Sequence, residues 1–157
     1  DVRDAVSIPV LRKDFLLQPA QVWEARAFGA DALLLIVAVL GRENLGMMMD
    51  AAVDAGVEAL VEAHDRVEAE IALEAGATLI GINNRDLTTF ETDLTVAENV
   101  VDLISQPGVT SIAESGIHES EDAERMRNAG YDAVLVGEAL IVAADPAETL
   151  VRLVGRS

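Results

Sequence analysis

Four times along the chain a helical pattern ends in glycine just before a short apolar run: Phe28-Gly29-Ala30-Asp31, Asp54-Ala55-Gly56-Val57, Glu74-Ala75-Gly76-Ala77 and Asn128-Ala129-Gly130-Tyr131. Glycine there lets the backbone turn left-handed and stops a helix before the next element. The apolar runs predict strands over 8–12, 32–38, 58–62, 79–83, 110–114 and 133–136. The stretches between them predict helices near 20–28, 43–55, 66–75, 96–104 and 120–128. A last helix is expected near 146–154, with Asp145 as N-cap, Pro146 at its first position and Gly155 just past its end. Strands separated by helices pair in parallel through right-handed crossovers. Runs as continuously apolar as these suit a parallel sheet covered on both faces.

This α/β pattern fits a (β/α) barrel or a doubly wound sheet. Six units fall short of the eight a closed barrel needs, and 157 residues fall short of its usual ~200–250. The chain opens Asp1-Val2-Arg3-Asp4-Ala5-Val6 without Met, in a stretch that reads as the middle or end of an amphipathic helix. The expectation is one partial barrel domain over 1–157, holding strands three to eight of eight, with two βα units ahead of Asp1.

Composition narrows the function classes. A hydrophobic content of 51 % is incompatible with wholesale disorder. The chain has no cysteine, which excludes disulfides and thiolate metal sites and suits a reducing, cytoplasmic setting. His64 and His118 are too few and too far apart for a zinc site, so no metal is expected. A net charge of −17 without any Lys/Arg run argues against a nucleic-acid partner. The same acidity fits a surface adapted to high salt, where screening removes self-repulsion. The longest apolar run, residues 32–40, is too short to span a bilayer, and no secretory or transit segment is expected within these residues.

Positive charge is carried by ten Arg and a single lysine, Lys13, at the end of the first predicted strand. Lysine, unlike arginine, can lower its pKa when desolvated and then exchange a proton. Barrel chemistry collects at the C-terminal ends of strands. Those ends hold Lys13, Glu62, Asn83 with Arg85, Glu114-Ser115-Gly116 and Gly137-Glu138. Glu62 at an apolar lip is a candidate acid or base, or else lies beside Asp65, the cap of the next helix. Asn83-Asn84-Arg85-Asp86 is either a hydrogen-bonding rim that orients a substrate or carboxylate, or turn chemistry. Ser115-Gly116 and Gly137 let backbone N–H groups approach an anion, with the short helix after Gly137 aimed at the same place, or else are ordinary turns.

Taken in order, 9–15, 33–38, 60–65, 80–87, 113–117 and 135–138 resemble the successive strand motifs of the indole-3-glycerol phosphate synthase family. That resemblance implies a (β/α)₈ barrel of tryptophan biosynthesis. It would close the indole ring of 1-(2-carboxyphenylamino)-1-deoxyribulose 5-phosphate, releasing CO₂ and water, without metal or organic cofactor. It further implies Lys13 as general acid toward the ribulose carbonyl oxygen, Glu62 as the carboxylate assisting ring closure and dehydration, and Asn83 as the group that positions them. Phe15 would supply an apolar wall near Lys13, and Leu34, Leu87 and Phe90 would flank the anthranilate ring. Arg85 and Ser115 would face the substrate, and Gly116, Gly137 and Glu138 would offer N–H groups to the phosphate. The Glu138 carboxylate is expected to play no part there.

The family's first-strand Glu and Lys and its following Ser-rich loop have no counterpart in these 157 residues. The expectation is little turnover by this chain alone, with weak phosphate or substrate binding retained. Its open sheet edges would be covered by self-association or by pairing with the N-terminal barrel portion. Two other readings stay open. One is a different phosphate-binding barrel such as phosphoribosylanthranilate isomerase, which relies on a Cys–Asp pair that a cysteine-free chain cannot supply. The other is a non-catalytic barrel fragment or assembly module.

Overall fold

The computed structural model describes residues 2–155. After a single turn, α1 (Val2–Ala5), six βα units follow: β1 (Leu11–Arg12), α2 (Pro19–Ala27), β2 (Ala32–Ile36), α3 (Val37–Ala55), β3 (Glu58–Ala63), α4 (Arg66–Glu74), β4 (Leu79–Asn83), α5 (Thr95–Glu98), α6 (Val101–Ile104), β5 (Thr110–Glu114), α7 (Ser120–Ala129), β6 (Ala133–Leu135), α8 (Glu138–Ile141) and α9 (Pro146–Leu153). The strands form one parallel sheet in sequence order, β1-β2-β3-β4-β5-β6. The glycine punctuation works as expected: Gly56 and Gly130 cap α3 and α7 at φ 63° and 110°. Asp145 accepts from the N–H groups of Ala147 and Glu148, with Pro146 opening α9.

Three expected boundaries move. The first strand pairs only over Leu11–Arg12, because β1 is an edge and residues 8–10 have a neighbour on one side only, reached through the Val10 carbonyl. Residues 37–38 belong to α3 and not to β2. The apolar run continues into a helical turn, and Gly41 (φ 66°, ψ 174°) kinks the chain before the helix expected over 43–55. A short apolar run carries no period that separates strand from helix. The single helix expected over 96–104 is two turns, α5 and α6. Side chains from elsewhere meet its backbone: Asn84 Oδ1 accepts from Ala97 N–H at 3.0 Å, and the Tyr131 hydroxyl donates to the Ala97 carbonyl at 2.9 Å.

Alternate residues of each strand face opposite sides of the sheet. Leu33 and Leu35, Val61, Ile80 and Ile82, and Ala113 face outward into the main core, against Val22, Leu45, Met48, Ala69, Ile104 and Met126 of the helices. Leu34, Ile36 and Leu60 face inward as a second, smaller cluster, with Leu11, Leu79, Ile112 and Leu135 only partly buried around it. The sheet curls about this inner face. In a flat sheet β1 and β5 stand four spacings apart, about 19 Å, yet Lys13 beyond β1 touches Glu114 of β5 at 3.0 Å.

Candidate active site

The inner phase of each strand leads to a polar residue at its C-terminal end. Leu11 is followed two residues on by Lys13, Leu60 by Glu62, Gly81 by Asn83 and Ile112 by Glu114. Arg12, out of phase, reaches outward instead, to Glu24 of α2 at 2.8 Å. The curled sheet gathers the four inner groups. Lys13 Nζ donates to Glu62 Oε2 at 3.2 Å and to Glu114 Oε2 at 3.0 Å, and Asn83 Nδ2 donates to Glu62 Oε1 at 3.0 Å. Both carboxylates are almost wholly buried, while Lys13 keeps a face open to solvent. Gly81 makes room for this cluster, since a Cβ there would collide with the Glu114 carboxyl.

Burial raises the Glu114 carboxyl to about 7, helped by the charge of Glu62 and opposed by Lys13. Lys13 departs from the sequence expectation of a lowered pKa. Burial does pull the ammonium down, but Glu114 and Glu62 outweigh it and the net shift is upward. The group stays charged because the strand ends surround it with anions that the chain order does not reveal.

Two cavities meet at Lys13. One, of about 260 Å³, is lined by Lys13, Asp14, Phe15, Leu34, Ile36, Glu62, Asn83 and Leu87, so it holds six of the residues expected around a flat ring and the reacting groups. The other, of about 190 Å³, is lined by Lys13, Arg85, Ser115, Gly116, Gly137 and Glu138 among others, so the expected anion residues do converge. Ser115 (φ 64°) and Gly116 (φ 74°) both take left-handed backbone there, which aims successive N–H groups around a tight turn. Because α8 has four residues, it contributes N–H groups and little aligned dipole.

Two expected residues behave otherwise. Phe90 is 67 % exposed, sits at φ 62° and offers its carbonyl to Arg85 Nη1 at 3.2 Å; it does not line the Lys13 ring cavity. The loop from 85 to 92 turns its ring to solvent while Asp86 holds the turn by accepting from Thr88 and Thr89 N–H. The Glu138 carboxylate is engaged at the cavity mouth, accepting from Arg85 Nη2 at 2.5 Å. The Asn83–Asp86 rim divides between both readings of it. Asn83 orients a carboxylate, Asn84 binds the backbone of Glu114 and Ser115, and Asp86 makes the turn.

Glu114 is the residue to which sequence reasoning assigned no role. The signal was available, since it ends a strand in phase with inward Ile112 just as Glu62 follows Leu60. Among the described residues, no three His, Asp or Glu side chains gather as a metal-ion site, and no helix is long and apolar enough to cross a membrane.

The profile of the family described as indole-3-glycerol phosphate synthase matches residues 1–153. The chain belongs to the indole-3-glycerol phosphate synthase family. An indole-3-glycerol phosphate synthase of Carboxydothermus hydrogenoformans is 49 % identical over 149 residues, which are 95 % of this chain and 56 % of that protein. Indole-3-glycerol phosphate synthase 2 of Streptomyces coelicolor is 48 % identical over 153 residues, 98 % of this chain and 59 % of that protein. The chain therefore spans little more than half the length of these synthases. Among solved structures, a mandelate oxidase variant with an FMN adduct superposes at TM-score 0.74 and 19 % identity, covering 97 % of this chain and 57 % of that one. A structure titled native KDPGal superposes at 0.69 and 20 % identity, covering 98 % and 69 %. At such identities these likenesses speak for the TIM-barrel fold alone, and the synthase half-barrel is its curled six-stranded portion.

Proposed function

We propose that this chain supplies strands three to eight of an indole-3-glycerol phosphate synthase barrel, and with them most of its site for 1-(2-carboxyphenylamino)-1-deoxyribulose 5-phosphate. The observation that carries the reading is the place of Lys13, an ammonium shared by two buried carboxylates where an apolar cavity meets a glycine-lined one. The anthranilate ring lies against Phe15, Leu34 and Leu87. The phosphate lies against the N–H groups of Gly116, Gly137 and Glu138, with Arg85 and Ser115 beside it.

Lys13 donates a proton to the ribulose carbonyl oxygen as the aryl carbon attacks that carbonyl carbon. The new C–C bond is followed by loss of CO₂ from the ring carbon, which restores aromaticity, and then by loss of the hydroxyl as water. The upward shift of Lys13 keeps it a proton donor at neutral pH. Glu62, held by Asn83, stabilises the cation that forms on the ring and assists the dehydration. The reaction runs in the cytoplasm without a cofactor.

The described sheet has unpaired outer edges at β1 and β6. In this reading they pair with the first two βα units of the barrel, and until they do the chain binds substrate weakly and turns it over little. Indole fluorescence with the chain alone, and then with a βα-βα fragment taken from a family relative, tests this. Turnover is expected only in the mixture, and light scattering is expected to show one chain joined to one fragment. Family-level turnover by the chain alone overturns the division of the site. Self-association without any substrate binding favours the assembly module.

A further inference from the structure

His64 follows β3 and has no part in the reaction as derived above. Its main-chain N–H and its Nδ1 both reach Glu68 Oε2 of α4, at 2.8 and 3.0 Å. Its Nε2 is buried without a hydrogen-bond partner and lies 3.4 Å from Glu62 Oε1. A buried ring nitrogen left bare is costly, and each one in a folded protein calls for an explanation. The charges around it supply one. Glu62 faces it from β3, Glu68 from α4 and Glu114 from β5, while Asp86, Glu91 and Asp93 from the loop after β4 share a cavity with it, opposed there by Arg85 alone.

We propose that His64 is a positioning residue that works as an imidazolium: clamped by Glu68, it holds Glu62 at Oε1 beside Asn83 while Lys13 holds Oε2, and so leaves Glu114 as the member of the pair that takes up and releases a proton. The carboxylates are unequally provided for. Glu62 meets donors at both oxygens, whereas Glu114 has Lys13 at Oε2 and a bare, buried Oε1. A proton is most useful on the group with the bare oxygen, and a cation most useful beside the other. Burial pulls the imidazole down, but the hydrogen bond to Glu68 and the charges of Glu62, Glu68 and Glu114 prevail and raise it.

The inference deepens the catalytic reading above and rests on it only for its consequence, because the charge state of His64 is a property of the folded chain. The test is an NMR titration of the full chain without substrate, with ¹⁵N-labelled histidine and ¹³C-labelled glutamate side chains. At pH 7 both ring nitrogens of His64 are expected to show imidazolium shifts, and Glu68→Gln is expected to move its midpoint down. In His64→Gln the Glu114 midpoint is expected to rise, since loss of a cation beside two coupled carboxylates makes the pair hold its proton more tightly. A neutral His64 at pH 7, unmoved by Glu68→Gln, overturns the proposal. So does a Glu114 midpoint that ignores His64→Gln. If that variant does not fold, His64→Asn reads the same coupling, with the same upward movement of Glu114 expected and its absence equally fatal. Failure of synthase turnover would leave these titrations readable.

Discussion

The outer and inner faces of the sheet are made from alternate residues of the same six strands, yet they are built for different ends. Outward residues such as Leu33, Val61, Ile80 and Ala113 are entirely buried against helices. Inward residues form a three-residue cluster with half-buried neighbours, topped by one ammonium, one carboxamide and two carboxylates. The outer face holds the fold, which frees the inner face to carry charges that cost stability. A buried carboxylate pair is tolerable because the helix-covered core supplies most of the apolar burial.

The comparison can be broken first at Lys13. In the protein assembled with its first two βα units, Lys13→Ala should cut turnover by roughly 10²–10⁴-fold and leave substrate affinity less affected. An unchanged rate, read by indole fluorescence, would mean that the amine is not the proton donor. On the outer face, Ile80→Ala should cost about 2–5 kcal/mol in urea denaturation. Ile112→Ala, on the inner side of the neighbouring strand, should cost about half of that or less. Equal losses would erase the distinction between the faces.

A third effect is one of pH. Glu114 titrates near 7 in the folded chain against 4.5 when exposed, so the native state keeps a proton that the unfolded chain releases. Its contribution is full below about pH 4.5 and is lost as pH rises toward 7, by on the order of 1–3 kcal/mol. Lys13, raised from 10.5, loses its contribution only above that value and lies outside this window. His64, raised from 6.5, acts in the same direction as Glu114, at the upper end of the window and beyond. The difference between wild type and Glu114→Gln, measured by denaturation from pH 4.5 to 7.5, should isolate the Glu114 slope. A flat difference would sink its assignment as the protonated partner.

Gly81→Ala sharpens the same point with a smaller effect. The added methyl collides with the Glu114 carboxyl and should push it off Lys13 at a cost of about 1 kcal/mol, with the Glu114 midpoint rising as the opposing ammonium is lost. The smallest effect expected is at the anion cavity. Glu138→Gln releases Arg85 from its exposed ion pair and should tighten inorganic phosphate binding by roughly two- to five-fold, as followed by calorimetry. Weaker binding would show that the Glu138 carboxylate helps to hold the anion.

Much of this was legible along the chain. Each helix stop at Gly56, Gly76 and Gly130 and each cap at Asp65 and Asp145 is a local matter of a few residues, so the order of βα units could be read directly. The motifs around Lys13, Glu62 and Asn83 pointed to the site, and these side chains do meet. The fraying of β1, the turn hidden in residues 37–40 and the split of α5 from α6 were not legible. The first and the last depend on neighbours distant in sequence, such as Tyr131 reaching Ala97, and the second on an apolar run too short to carry a period. Phe90 was misplaced for a more local reason, since the loop's own hydrogen bonds set where its ring goes.

Local periodicity and capping thus determined the βα repeat, its parallel pairing and the strand ends where chemistry could sit, because those preferences act between residues a few positions apart. Only the curled sheet decided that Glu114 joins Lys13 across 101 residues. Only burial decided which groups there hold protons. Charge state follows from desolvation and from the neighbours brought within a few ångströms, and neither exists until the chain has folded.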